Sequence, residues 1–208
     1  SGSKDPDVMM RGLLGLAGVA RVQGERARAA EVYQQVAGEA DDPAYKVQAL
    51  QELADLALEA GDADAALASW RTLLGVVPAG HPAAGETRQA MMLVLADQER
   101  FGEAREVCAQ ATATATGTAR RRAEAACAEL AERAGDLTGA REAWTALTEV
   151  PELPEDLAAD VFLGAARGAL AEAAPQESFR LAEAGLARVG TTALRLPLLS
   201  LQVTALQD

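Results

Sequence analysis

The stretch Gly61–Trp70 reads GDADAALASW, and the stretch Gly135–Trp144 reads GDLTGAREAW. The two stretches begin 74 residues apart, and each carries a Gly-Asp pair, an alanine five residues after the glycine and a tryptophan nine residues after it. A glycine accepts the positive φ of a helix C-terminal turn, and an acid after it favours the N-terminal end of a following helix. Each stretch therefore predicts a tight turn between two helices.

The same pattern recurs along the chain at nearly constant intervals. With Gly61 as the anchor, equivalent positions fall at Gly24, Glu99, Gly135 and Ala173, in steps of 36 to 38 residues, although Glu99 and Ala173 lack the glycine. Such a period indicates stacked helical hairpins, because one hairpin cannot bury its apolar stripe alone. Helix breakers between the repeats predict helix pairs over residues 6–40, 43–77, 83–115, 118–150 and 155–189, and an eleventh helix over about 192–207, kinked or started at Pro197.

Composition limits the class of protein and its partners. Half of the 208 residues are hydrophobic, mostly Ala and Leu, and only 3% are aromatic, which favours helix over strand. The net charge of −12 disfavours nucleic acid and anionic membranes as partners. No apolar run reaches the roughly 18 residues of a membrane span, so we expect a soluble protein of the cytoplasm or periplasm, with no direct membrane insertion. The abundance of Ala, the preference for Arg over Lys and the absence of Asn indicate a bacterial origin.

The helix, Gly-Asp turn, helix, alanine, aromatic residue and proline resemble the tetratricopeptide repeat (TPR). In the second repeat the resemblance runs through Leu50, Leu53, Ala54, Gly61, Ala66, Trp70 and Pro78. It implies an all-α fold, a right-handed α-solenoid of about five TPR-like helix pairs plus a C-terminal helix, with repeats longer than the 34 residues of the family. The predicted organisation is an expression scar or flexible start at 1–5, a repeat array at 6–190 and a capping or continuation helix at 191–208.

The resemblance also implies a function and a binding surface. TPR arrays are non-enzymatic scaffolds that hold a protein or peptide in the concave groove lined by the first helix of each pair, or at an array end. Acidic C-terminal tails are improbable ligands here, because the chain has two Lys and no Asn to clamp a carboxylate. Projecting the inward positions of the family onto this sequence gives the eleven candidate groove residues Arg21, Gln48, Gln51, Asp55, Glu59, Gln89, Asp97, Arg122, Glu129, Glu132 and Arg133. The same projection also gives Arg11, Leu14, Leu93, Leu163 and Arg167.

No residue pattern predicts catalysis, a metal site or a cofactor. The only histidine, His81, lies in a Pro-Ala-Gly-His-Pro loop without the partners that a triad or metal site requires, and no phosphate-binding glycine loop is present. Two alternatives to a groove-binding scaffold stay open. The chain could be a structural or oligomerisation spacer of a larger bacterial protein, or a regulatory array attached to a catalytic domain outside this sequence.

Two further features concern the cysteines and the C-terminus. Cys108 and Cys127 fit no zinc pattern, so we expect buried free thiols, with a single bridge as the alternative if their helices are neighbours. The last helix is apolar on more than one side, which predicts packing on further repeats, on a second copy of the chain, or back onto the array. The leucines nominated for self-association are Leu194, Leu198, Leu199 and Leu201.

Overall fold

A computed structural model describes residues 5–207, and all regular secondary structure in that range is helical. The helices are α1 (Pro6–Val22), α2 (Arg26–Glu39), α3 (Pro43–Glu59), α4 (Ala63–Val76), α5 (Pro82–Asp97), α6 (Phe101–Thr114), α7 (Gly117–Arg133), α8 (Leu137–Thr148), α9 (Glu155–Ala171), α10 (Pro175–Arg188) and α11 (Thr192–Ala205). The expected all-α class, with five helix pairs and an eleventh helix, is confirmed. All predicted boundaries lie within about two residues of the observed ones, as expected when caps and breakers set them.

Helices α1, α3, α5, α7 and α9 open the five repeats and are called A helices; α2, α4, α6, α8 and α10 complete them and are called B helices. Helix α11 follows in the A position, and Pro197 lies inside it rather than at its start. The predicted scar at 1–5 lies outside the described residues except for Asp5. The carboxylate of Asp5 caps α1 by accepting a hydrogen bond from the backbone N–H of Asp7.

The five anchors form the same turn in every repeat. The backbone φ is +80° at Gly24, +77° at Gly61, +57° at Glu99, +79° at Gly135 and +56° at Ala173. After each anchor the next N–H reaches back five residues to a carbonyl of the A helix, as in the bond from Asp62 N to Ala57 O at 2.8 Å. This is a Schellman turn, and it forms at Glu99 and Ala173 although neither residue favours a positive φ.

The position five residues after each anchor is buried in all five repeats. Ala29, Ala66, Ala104, Ala140 and Ser178 are each at most 1% exposed. Nine residues after the anchor, Tyr33, Trp70 and Trp144 are buried as the large side chains of their repeats. The small residue lets two helices approach closely, and the aromatic ring fills the space beyond.

Two compact units divide the chain, unit 1 at Ser1–Met91 and unit 2 at Met92–Asp208, with the boundary inside α5. In unit 1, α1 packs on α2 and α3, and α3 packs on α4. In unit 2, α7 packs on α6, α8 and α9, and α9 packs on α8, α10 and α11. Within each unit, helices therefore contact near neighbours in sequence, which is the arrangement of a repeat stack.

The expectation of free thiols is wrong. Cys108 on α6 and Cys127 on α7 form a disulfide, with their Cα atoms 5.7 Å apart, and both residues are half-buried rather than buried. Helices α6 and α7 pack directly against each other, which brings the two thiols together. Cys108 occupies the position of the large aromatic residue, nine residues after its anchor, so the bridge lies where other repeats place a ring.

The leucines nominated for self-association are mostly part of the core. Leu198 is fully buried, and Leu194 and Leu201 pack against the cluster that contains Phe162 and Ala182. Of the four, only Leu199 is exposed, at 42%. The nominated set is therefore wrong as a surface, because helical periodicity turns Leu194, Leu198 and Leu201 toward α9 and α10.

Candidate interaction surface

The eleven candidate groove residues all lie on A helices, as predicted. Arg21, Gln51 and Glu132 are half-buried, and the other eight are exposed. We call the surface that they form within each unit the A-helix face. In unit 1 it comprises the candidates from Arg21 to Gln89 with Glu52 of α3, and in unit 2 those from Asp97 to Arg133 with Asp156, Asp160 and Arg167 of α9.

In unit 1, Arg21 of α1 is held by two carboxylates of α3. Its guanidinium donates to Oε2 of Glu52 at 2.5 Å and to Oε1 of Glu59, and the Nε of Arg26 lies 3.6 Å from Oε2 of Glu59. The hydrogen bond from Arg21 lowers the pKa of Glu59, and the same contact raises the pKa of Arg21. The cation of Arg21 is therefore already neutralised by its own chain.

A surface cavity of about 620 Å³ adjoins this ion pair. Its walls are formed by Gly18, Arg21, Val22, Gly24, Arg26, Tyr33, Glu52 and Glu59. Burial raises the pKa of the Tyr33 hydroxyl, and burial also raises the pKa of Asp55, against the opposing charge of Arg21. The walls of the cavity thus combine apolar surface with two arginines and two glutamates, whose charges balance.

In unit 2, three arginines of the A-helix face are paired with the neighbouring A helix. Arg133 of α7 donates to Oδ1 of Asp97 on α5 at 2.5 Å. Arg122 of α7 donates to Oδ2 of Asp156 on α9 at 2.7 Å, and Arg167 of α9 donates to Oε2 of Glu132 on α7 at 3.1 Å. Each pair joins two successive repeats, so the face is cross-linked by ion pairs.

Glu132 has a second partner inside its own repeat. The indole Nε1–H of Trp144 donates to its Oε1 at 2.8 Å, while its Oε2 accepts from Arg167. The buried ring of Trp144 thereby fixes the carboxylate that receives Arg167. A residue nominated for partner binding is thus fully engaged in holding α7, α8 and α9 together.

Two carboxylates of the unit 2 face have no ion-pair partner among residues 5–207. These are Glu129 on α7 and Asp160 on α9, both exposed. Although Asp160 is exposed, partial desolvation of its carboxyl group raises its pKa, with Asp156 adding to the effect and Arg122 and Arg167 opposing it. The charged groups of this face that are available to a partner are therefore acids.

Sequence reasoning missed Glu52, Asp156 and Asp160 as members of the face. The two residues of each ion pair lie about one repeat apart in the sequence. Their sequence separation is 38 residues for Arg21 and Glu59, 36 for Asp97 and Arg133, 35 for Glu132 and Arg167, and 34 for Arg122 and Asp156. Opposite charges one repeat apart on successive A helices could therefore have predicted these ion pairs from the sequence.

Among residues 5–207, no group of three or more His, Cys, Asp or Glu side chains is arranged to hold a metal ion. Over the same range, no helix is both long and apolar enough to cross a bilayer.

No protein-family profile and no curated protein sequence matches this chain. Solved structures do resemble it. BtubC (BKLC) of P. vanneervenii is 14% identical with a TM-score of 0.64, and the match covers 88% of this chain and 80% of that one. The nearly identical TPR-like repeats of a Podospora anserina protein assigned to the kinesin light chains are 18% identical with a TM-score of 0.62, over 89% and 96% of the two chains.

YrrB, a TPR protein described as having an unusual peptide-binding site, is 17% identical with a TM-score of 0.56, over 88% of each chain. At these identities the similarity concerns the fold alone. The chain therefore has the fold of TPR-repeat proteins, an all-α helical repeat solenoid.

Proposed function

We propose that this TPR-fold chain is a non-enzymatic scaffold that holds a protein or peptide partner on its A-helix face. The fold supports this role in general, because stacked hairpins present many side chains on a rigid framework, so little scaffold entropy is lost on binding. The peptide-binding site named for YrrB supports it by analogy.

One observation carries the proposal further: on the unit 2 face the arginines are paired and the unpaired charges are acids. Arg122, Arg133 and Arg167 each have a carboxylate partner within the chain, whereas Glu129 and Asp160 have none among residues 5–207. An acidic partner would have to break these ion pairs to find a cation, while Lys or Arg side chains of a basic partner meet free carboxylates. The partner we expect is therefore a basic or neutral segment.

The ion pairs also change which variants test the function. Replacing Arg122 and Arg133 by Glu would disrupt the pairs with Asp156 and Asp97, so lost binding could reflect altered structure. Glu129 and Asp160 are better targets because, in the described part of the chain, their replacement breaks no ion pair.

The test compares Glu129→Lys/Asp160→Asn with the matched control Glu142→Lys/Glu183→Gln, whose exposed residues lie on the B helices α8 and α10. Both doubles change the net charge equally. Binding to immobilised peptide arrays of defined charge, followed by affinity capture and mass spectrometry, should show at least a roughly tenfold weaker signal for basic peptides with the A-helix double only. Equal loss in both doubles, or in neither, would refute the assignment.

A further inference from the structure

Helix α11 exposes an apolar stripe on the side that faces away from the core. Leu194, Leu198 and Leu201 pack toward α9 and α10, as described above. The opposite side carries Leu196, exposed at 60%, Leu199 at 42% and Val203 at 57%, and Leu206, the C-cap residue that follows the helix, is exposed at 74%. Exposed apolar residues that cluster on one helix mark interaction surfaces.

The spacing of this α11 stripe is symmetric about its own middle. Steps of three, four and three residues place the four side chains along one line of the helix. In an antiparallel pair of α11 helices related by a two-fold axis, Leu199 meets Val203 of the second copy, and Leu196 meets Leu206 of the second copy. A surface that matches itself in this way is what an isologous dimer requires.

Charge also favours a second copy at this place. Copies of a chain with a net charge of −12 repel each other, yet residues 196–207 contain no charged side chain. The nearest charge, Arg195, is directed elsewhere, because its Nη1 donates to the carbonyl oxygens of Leu186 at 2.8 Å and Val189 at 2.7 Å. Residues 196–207 therefore add no like-charge repulsion between copies.

Helix α11 packs against α9 and α10, and within residues 5–207 these contacts leave the α11 stripe uncovered. We propose that a second copy of this chain supplies the cover, with the two α11 helices antiparallel across a two-fold axis through the stripe.

The experiment measures molar mass by size exclusion with light scattering and sedimentation equilibrium, over a concentration series from about 5 µM to 500 µM. The full chain should approach twice 21.6 kDa as its concentration rises. Leu199→Glu/Val203→Glu should weaken the association at least about tenfold with unchanged helical circular dichroism, because like charges would meet across the axis. The control Leu137→Glu replaces an exposed leucine of α8 and should leave association unchanged.

A second double variant, Leu199→Glu/Val203→Lys, tests whether the two α11 helices pair in the antiparallel arrangement. It removes the same apolar contacts, but an antiparallel two-fold pair places each new anion against a new cation, so it should associate more tightly than the Glu/Glu double. A monomeric wild type over the whole series overturns the proposal. So do masses beyond twice 21.6 kDa, which indicate head-to-tail contacts, and equal association of the two doubles.

Discussion

Gly164 of α9 lies directly on the indole ring of Trp144 of α8: a Cβ added to Gly164 would stand 2.5 Å from Cε2 of the tryptophan. No real Cβ tolerates that distance, so the glycine is required by the ring. The contact joins the fourth repeat to the fifth, and the same indole holds Glu132 through its Nε1–H. One buried ring thus determines both the approach of two repeats and the position of a charged group on the A-helix face.

This contact predicts that glycine-to-alanine substitutions at two positions change the free energy of unfolding in opposite directions. Gly164→Ala should lower the free energy of unfolding by about 1–3 kcal/mol, because overpacking against Trp144 outweighs the helix propensity of alanine. Gly15→Ala on α1, where a Cβ would meet nothing within 4 Å, should raise it by about 0.5–1 kcal/mol. Urea unfolding of both variants measures the effects, and an equal sign for the two would contradict the packing.

The Schellman turns predict a gain from glycine at the two anchors that lack it. Ala173→Gly should stabilise the fold by about 1 kcal/mol, since Ala173 holds a φ of +56° that costs an L-residue energy. Ala171→Gly, two residues earlier in α9, should instead destabilise by up to about 1 kcal/mol. Thermal and urea unfolding distinguish the two, and the turn geometry is refuted if Ala173→Gly destabilises as much as Ala171→Gly.

Ser178 carries a hydroxyl where the other four repeats have an alanine methyl. It is fully buried, and its Oγ has no hydrogen-bond partner within residues 5–207. Ser178→Ala should therefore stabilise the protein by about 1 kcal/mol, because the desolvated hydroxyl is removed without loss of a bond. The reverse change in the fourth repeat, Ala140→Ser, should destabilise by about 1–3 kcal/mol. The two urea midpoints should shift in opposite directions.

The disulfide between α6 and α7 should contribute measurably to stability. A cross-link between residues 19 apart restricts the unfolded chain, and its loss is expected to cost about 3 kcal/mol or less. Thiol titration of the unreduced, denatured protein should find no free thiol. Cys108→Ala/Cys127→Ala and reduced wild type should show similarly lowered urea midpoints. Two titratable thiols in carefully oxidised protein would contradict the bridge.

The pKa values of Asp156 and Asp160, one turn apart on α9, should be shifted in opposite directions. The hydrogen bond from Arg122 lowers the pKa of Asp156, so Asp156 stabilises the fold above its unfolded pKa, and that contribution is lost as the pH falls through its native pKa. Burial raises the pKa of Asp160, so its favourable contribution exists at low pH and is lost as the pH rises through its native pKa.

Variants at these two positions check the signs. Asp160→Asn should stabilise the protein most at neutral pH, and Asp156→Asn should destabilise it there and have less effect in acid. Carboxyl-carbon NMR titrations of wild type and Arg122→Gln measure the native pKa values directly. The pKa of Asp156 should rise when the Arg122 guanidinium is removed. An unchanged Asp156 pKa in Arg122→Gln would contradict the ion pair.

The sequence by itself determined the helices, their boundaries and the repeat. Gly61 and Gly135 revealed the period because a positive φ at a helix end is local chemistry, and Pro43 and Pro82 marked helix starts for the same kind of reason. The period was strong enough to assign turns at Glu99 and Ala173, where the local signal is absent.

Only the tertiary structure decided which side chains touch. Gln48 and Glu129 remained exposed on the predicted face, but Arg21, Arg133 and Glu132 proved to be occupied by partners on the neighbouring A helix. The half-buried disulfide and the orientation of Leu198 were decided in the same way. Backbone turns depend on residues a few positions apart, whereas ion pairs, bridges and burial depend on how hairpins stack, and that register is set by packing across a whole repeat.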